Sequence, residues 1–162
     1  MRFLAAFTVF ALGVVAVSAT EPETTVARLI ADAWQPQEVR VEWQFTGPTP
    51  KAVADYEDWA IAEPRPTRLA GSLIVVLERS AGQDQKMRLP VSGTARVYGP
   101  SLMPTHTVHI GEPVDSSKVT LVESEWTRLK GNAAQWENLS GAVIAARTLV
   151  PGRSIVVTDL KP

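Results

Sequence analysis

Cysteine is absent from this chain of 162 residues, which excludes disulfide bonds and thiolate metal sites. Only two histidines occur, and 16 Lys and Arg side chains nearly balance 17 Asp and Glu side chains, for a formal net charge of −1. A near-neutral chain with no basic block is not expected to bind nucleic acid or anionic lipid. The 12 prolines and 10 glycines instead indicate a strand-rich protein with many turns.

Long apolar runs are absent after the N-terminus. Arg2 precedes an almost wholly apolar stretch over residues 3–17, and the small residues Ser18 and Ala19 follow it. This pattern predicts a secretory signal peptide over residues 1–19, which is too short to be a stable membrane span. We therefore expect an exported protein with no membrane insertion after cleavage. The missing cysteine also excludes a lipid anchor at the cleavage site.

A helix is predicted directly after the signal peptide, over residues 24–34. Apolar side chains recur there at spacings of three and four and form one stripe: Val26, Leu29, Ile30, Ala33 and Trp34. Thr24 or Thr25 can cap the start of the helix, and Gln35 and Pro36 end it.

Three strands are predicted in the following stretch. Apolar and polar residues alternate strictly over residues 38–45, which is typical of a half-buried strand. Residues 52–61 could hold a short helix. A β-branched run over residues 73–77 and an alternating run over residues 86–97 then predict a long hairpin with Gly82 near its tip.

A domain boundary is predicted where glycine and proline cluster, at residues 99–104. An N-terminal α+β domain would span residues 20–100, with the helix packed across a small antiparallel sheet. A second domain would span residues 101–162.

The second domain contains an internal repeat, because residues 106–119 align without a gap with residues 147–160. Gly111 aligns with Gly152, and each glycine can accept the positive φ of a tight turn, for which Pro151 presets the first corner. The apolar positions that follow also match: Val114 with Ile155, and Val119 with Leu160. The two segments are therefore predicted to be twin halves of one folded unit.

The segment between the halves, residues 121–141, is predicted to form a broken helical or looped lid. Trp126 and Trp136 lie in it and are expected to be exposed, where aromatic side chains can anchor a partner protein. Trp34 and Trp43, in contrast, lie on faces predicted to be buried.

Catalytic chemistry finds no support in the sequence. His106 and His109 lie three residues apart on a predicted strand, so their side chains point to opposite faces and cannot share a metal ion. Glu123 and Glu125 are best explained as a solvated strand edge. Because no nucleophile, phosphate or nucleotide motif occurs, we expect neither an enzyme nor a cofactor.

Residues 105–162 resemble a SAF domain, a module of the β-clip type, through "THTVHIGEPVDSSKVTL" and "LSGAVIAARTLVPGRSIVVTDLKP". Within that group, the whole chain after the signal peptide is similar to the family of flagellar basal-body P-ring formation proteins, FlgA. The positions that fit the family pattern are Gly111, Val114, Gly141, Arg147, Pro151, Gly152, Asp159 and Leu160.

The resemblance implies an α+β, mostly β fold, in which an N-terminal helix on a small antiparallel sheet is followed by a partial SAF-type β-clip. It also implies a periplasmic assembly chaperone, without catalysis or cofactor, whose partner is the flagellar P-ring subunit. Family members usually continue past the final Asp-Leu-x-x-Pro stretch, so we expect the β-clip to be incomplete. The backbone of residues 142–157 would then be an open edge that could accept a strand of the partner.

Two other functions fit the same group. One is a pilus-assembly component of the CpaB type, although that type usually keeps its apolar N-terminus as an anchor. The other is a module that binds glycan or peptidoglycan. Arg147 has two interpretations as well. It is either an arginine that snorkels to solvent from a strand edge, or a residue that makes a charge contact, to the partner or across the two half-motifs.

Overall fold

The computed structural model describes residues 21–35, 37–82 and 85–162. The predicted signal peptide lies outside the described residues, and so does Pro36. The helices are α1 (Pro22–Ala33) and α2 (Lys51–Asp55), with short 3-10 turns at Trp136–Leu139 and Val157–Asp159. The strands are β1 (Arg40–Phe45), β2 (Ala60–Ile61), β3 (Gly71–Ser80), β4 (Lys86–Pro104), β5 (Val119–Glu125), β6 (Ile144–Ala145) and β7 (Leu160–Lys161).

Helix α1 forms where the apolar stripe predicted it but begins earlier. Its first residue is Pro22, and Glu21 occupies the cap position, so the prediction that Thr24 or Thr25 caps the helix is wrong. Proline suits the first helical position because its φ is already helical and its missing N–H would have no partner there. Val26 and Ile30 on the stripe are fully buried, and the helix packs against β1.

The main sheet has the strand order β1-β4-β3-β2, with β5 added to the far end of β4. β3 and β4 form the predicted hairpin, with Gly71 opposite Ala95 and Ser80 opposite Lys86. β1 runs antiparallel to β4, and its alternation places Trp43 in the core while its polar residues face solvent. The predicted strand and hairpin of this region are therefore confirmed.

Strand β4 continues through the predicted boundary at residues 99–104 without a break. From Tyr98 to Pro104 it pairs with β5, which occupies the first part of the segment predicted to be a lid. The lid prediction is therefore wrong for residues 121–125. The division into domains of residues 20–100 and 101–162 stays a prediction, with β4 extending across it.

The stretch predicted as a short helix over residues 52–61 holds two elements instead of one. Helix α2 ends at Asp55, and β2 then pairs with β3 at Ala60 and Ile61. Val53 and Trp59 are buried, whereas Tyr56 is exposed.

The buried side chains form two main clusters along β4. The first lies between α1, α2 and the face of the sheet and contains Val26, Ile30, Trp43, Val53, Trp59, Leu69, Val75, Leu77, Val91 and Ala95. The second lies at the other end of β4 and contains Leu102, Val108, Val114, Val119, Ala134, Ala145, Leu149 and Ile155. A smaller cluster contains Val97, Trp126 and Ala133. Its β4 residue, Val97, lies between the β4 residues of the two main clusters.

Candidate partner-binding site

The two halves of the internal repeat lie against each other. Val108 and Leu149, which the alignment made equivalent, form an antiparallel bridge. Val108 N donates to Leu149 O at 3.0 Å, and Leu149 N donates to Val108 O at 2.8 Å. The predicted pairing of twin halves is confirmed by this reciprocal contact.

Hydrogen bonds outside the bridge repeat in the same way. Val114 N donates to Val143 O at 2.8 Å, and its counterpart Ile155 N donates to Leu102 O at 2.8 Å. Thr105 N donates to Lys118 O at 2.9 Å, as Ala146 N donates to Asp159 O at 2.7 Å in the second half. The halves thus form a pseudo-twofold unit, hereafter the clip, over residues 102–119 and 143–160.

Glycine is needed at the two turn tips of the clip. The φ angle is +83° at Gly111 and +79° at Gly152, a region that other residues adopt only with strain. After each turn an apolar side chain enters the shared core, Val114 in the first half and Ile155 in the second. Ile110 remains outside it, with 67% of its surface exposed, and Pro151 takes the equivalent exposed position.

Asp115 closes the turn that follows Val114. Its Oδ1 accepts hydrogen bonds from Ser117 Oγ at 2.5 Å and from Ser117 N at 2.8 Å. These bonds to the ionised form hold the pKa of the Asp115 carboxyl below its ordinary value, with the hydroxyl as the largest cause.

The lowered pKa of Asp115 predicts a pH dependence. Its stabilising contribution is complete above the ordinary pKa of an aspartate and is lost as the pH falls through the lowered pKa. We expect NMR titration to place the midpoint of Asp115 below that of an unfolded-chain aspartate, and Ser117→Ala to raise it. An unchanged midpoint in Ser117→Ala would show that the hydroxyl bond is not the cause.

Arg147 forms an ion pair inside the second half of the clip. Its Nε lies 2.6 Å from Asp159 Oδ1, and its second guanidinium nitrogen donates to Asp159 Oδ2 at 2.9 Å. The Asp159 side chain is only 5% exposed, and Oδ2 also accepts from Val156 N at 3.1 Å. Because Arg147 and Asp159 both belong to the second half, the predicted contact across the two half-motifs is wrong.

Gly141 and Leu160 complete the set of family-pattern positions. Gly141 is exposed, with a φ of +97°, and follows the 3-10 turn that ends at Leu139. Leu160 pairs with Ala145 and packs against the clip core. Their role in binding a partner stays a prediction.

Trp126 is buried, so its predicted exposure is wrong. Only 6% of its surface is exposed, and its Nε1 donates to Ser101 Oγ at 3.4 Å. The ring lies directly against Gly99, where an added Cβ would come within 2.7 Å of it. Trp136 is 42% exposed, as predicted, and remains the candidate aromatic contact of this segment.

Three serine hydroxyls connect β4, β5 and the second half of the clip. Ser101 Oγ bonds to Ser124 Oγ, and Ser154 Oγ donates to Ser124 Oγ at 2.7 Å. Ser101 is fully buried, so these bonds satisfy a polar group that would otherwise be costly there. Sequence reasoning missed this cluster, since isolated serines far apart in the chain give no signal.

The backbone predicted to be an open edge is already hydrogen-bonded. Within residues 142–157, Ala145 N donates to Glu112 O at 2.9 Å and Ala145 O accepts from Gly111 N at 2.8 Å. The first half of the clip therefore covers this segment, and the predicted open edge is wrong. The main sheet ends instead at β1 on one side and at β2 on the other.

The residues with candidate chemistry do not converge. His106 and His109 are exposed and lie in irregular backbone, not on the predicted strand, and Glu123 binds Arg40 Nε at 2.9 Å. Across residues 21–35, 37–82 and 85–162, no group of three or more His, Asp or Glu side chains could hold a metal ion. In the same described residues, no helix has the length and apolar character needed to cross a membrane.

The fold is α+β and mostly β, with one N-terminal helix on a curled antiparallel sheet that leads into a β-clip. Among solved structures, the chain is similar to Salmonella FlgA in its closed form, with a TM-score of 0.64 and 15% identity, over 88% of this chain and 69% of that one. It is also similar to the open form, with a TM-score of 0.63 and 15% identity, over 88% of this chain and 64% of that one. No protein-family model matches the sequence, and no curated protein matches it either.

Proposed function

We propose that this protein is a periplasmic assembly chaperone for the subunit of the flagellar P-ring, which acts by binding and not by catalysis. The observation that carries the proposal is the fold similarity to Salmonella FlgA over 88% of the chain. The paired glycine turns support it, because they lie in the segment whose sequence resembles that family. The predicted signal peptide supports a location outside the cytoplasm.

The surface offers apolar contacts to a client protein. Ile110 and Val157 are exposed in the two halves of the clip, and Trp136 is exposed in the segment between them. Exposed aromatic and aliphatic side chains are typical anchors of protein interfaces. The interlocked hydrogen bonds of the clip would hold Ile110 and Val157 in fixed positions.

The proposal predicts a direct complex with the purified P-ring subunit. We expect the two proteins to co-elute in size-exclusion chromatography, and Trp136→Ala to weaken the complex about tenfold if the ring is an interface anchor. Ile74→Ala is the matched control, because Ile74 is an exposed apolar residue on β3, outside the clip. Failure of the unmodified protein to bind the subunit would contradict the proposed function.

Hydrogen exchange on the same complex locates the contact. A client strand added to the main sheet would lie along β1 or β2, the two ends of the strand order, and new protection would then appear at Arg40–Phe45 or at Ala60–Ile61. Ala145, Ala146, Leu149 and Ile155 should change little, because their amides already have partners in the clip. Unchanged exchange along both β1 and β2 would leave side-chain contacts as the means of binding.

A further inference from the structure

A groove of about 580 Å³ lies beside the C-terminal end of α1. Three segments line it: the end of the helix with Ala33 and Trp34, the connector over residues 65–69, and the segment over residues 126–133 that follows β5. The groove is separate from the glycine turns of the clip, and none of the family-pattern residues lines it.

The charge of this groove is entirely positive. Its lining includes Arg65, Arg68 and Lys130 but no Asp or Glu. Arg65 is compensated by Glu63, whose Oε1 lies 2.8 Å from Arg65 Nε. Arg68 instead donates to the backbone carbonyls of Thr127 and Leu129, so it is held in place while its charge remains available.

Lys130 adds a second cation without a carboxylate partner. It is exposed, and no Asp or Glu oxygen lies within ion-pair distance of it among the described residues. In a chain with a net charge of −1, two uncompensated cations in one groove are a local feature and not a consequence of the overall composition.

A second groove on the other side of the α1 end has the opposite character. It has a volume of about 600 Å³ and is lined by Asp32, Glu38 and Glu123 with one cation, Arg40. Glu123 already neutralises that cation at 2.9 Å. The two grooves therefore differ in sign, and an anionic ligand is favoured only by the groove of Arg68 and Lys130.

The floor of the positive groove favours a peptide over a glycan. Trp34 and Trp126 meet there edge to face, with ring centroids 6.1 Å apart. Their indole N–H groups are occupied by Leu69 O and Ser101 Oγ, and Trp126 is 6% exposed. A sugar ring would need an open aromatic face, whereas an aliphatic side chain can pack against the half-buried Trp34 and Leu129.

We propose that this groove binds an extended acidic segment of a polypeptide, with Asp or Glu side chains directed to Arg68 and Lys130 and an apolar side chain against Trp34. The inference rests on the proposed function in one respect, that the client is a protein. Complementary charge would mainly speed association and select acidic segments over basic ones.

The test uses the full chain after signal cleavage and a fluorescent peptide of alternating Glu and Leu as the probe. We expect Lys130→Glu to weaken binding of this peptide about fivefold to tenfold, because one attraction is replaced by a repulsion. Lys130→Arg should retain the affinity. Raising the salt from about 0.05 M to about 0.5 M should weaken binding of the peptide by the unmodified protein. Lys161→Glu is the matched control, an exposed lysine outside the groove, and should change the affinity less than about twofold.

Lys130 is suited to the test because its side chain forms no hydrogen bond within the part of the chain that the structure describes, so its replacement should not disturb the fold. Equal binding of the peptide by the unmodified protein and Lys130→Glu would overturn the inference, whatever the P-ring subunit does. If the unmodified protein bound peptidoglycan but not the peptide, and Lys130→Glu lost the binding to peptidoglycan, the inference would be overturned in favour of a glycan ligand. If the protein bound the peptide in a charge-dependent way but did not bind the P-ring subunit, the inference about the groove would hold and the proposed function would be contradicted.

Discussion

Gly93→Ala is expected to destabilise the protein by about 3 kcal/mol or more, because the site has no room for a methyl group. A Cβ at Gly93 would lie 2.5 Å from Trp43 Cε2 and 2.5 Å from the Gln44 carbonyl oxygen. The Trp43 ring is buried in the first cluster, and Gln44 O belongs to the paired backbone of β1. Neither can move without breaking packing or strand pairing, and urea unfolding would measure the loss.

Ser92→Ala is the matched control for Gly93→Ala. Ser92 is the neighbouring residue on β4 and is exposed, so its replacement should change the free energy of unfolding by less than about 0.5 kcal/mol. If Gly93→Ala were as stable as this control, β1 would not approach β4 as closely as the structure shows.

Asp159→Ala is expected to cost about 3 kcal/mol, because it removes the acceptor of two interactions in the clip. The Val156 N–H is buried and would lose its partner, and the Arg147 guanidinium would lose both of its bonds. Asp159→Asn should cost less, since an amide oxygen can still accept from Val156 N. Thermal and urea unfolding would establish the order of these variants.

Arg147→Ala separates the structural role of this arginine from a role in binding. Because Arg147 is 66% exposed, we expect a loss of about 1–2 kcal/mol, and the double variant with Asp159→Ala should cost little more than Asp159→Ala alone. His106→Ala, at the equivalent exposed position of the first half, is the control and should be nearly neutral. Unaltered stability and unaltered partner binding in Arg147→Ala would remove both predicted roles.

The alternation of residue types was sufficient to predict most of the N-terminal sheet. Over residues 38–45 and 86–97, each apolar residue that faces the core alternates with a polar one, and the structure places β1 and the hairpin there. The internal repeat was equally informative, because glycine turns followed by core residues require the same backbone path twice. Val108 and Leu149 meet where the alignment made them equivalent.

The prediction from sequence was wrong where prolines, which usually interrupt a strand, lie within one. Pro100 and Pro104 suggested a boundary, yet both lie in β4, opposite Glu123 and Val119 of β5. Proline removes a backbone donor, which a strand tolerates at its end or where no partner needs that donor. The pairing with β5 depends on residues far along the chain, so local signals could not predict it.

Burial of Trp126 could not be predicted for a related reason. It lies in the segment over residues 121–141, whose lack of a regular apolar pattern indicated an exposed lid. The ring is buried because Gly99, on another strand, leaves a space that only a tertiary fold creates. The cations Arg68 and Lys130 were missed likewise, since they meet in one groove only after the strands have assembled.

The 19 residues of β4 have a consequence for how the two parts of the molecule depend on each other. The first part of β4 pairs with β1 and β3, which precede it in the chain, whereas its last part pairs with β5, which follows it. The N-terminal layer can therefore close without the clip, whereas the clip depends on a strand that this layer fixes. A destabilising substitution early in β4 should consequently impair both the N-terminal layer and the clip, whereas one in the clip should impair the clip alone.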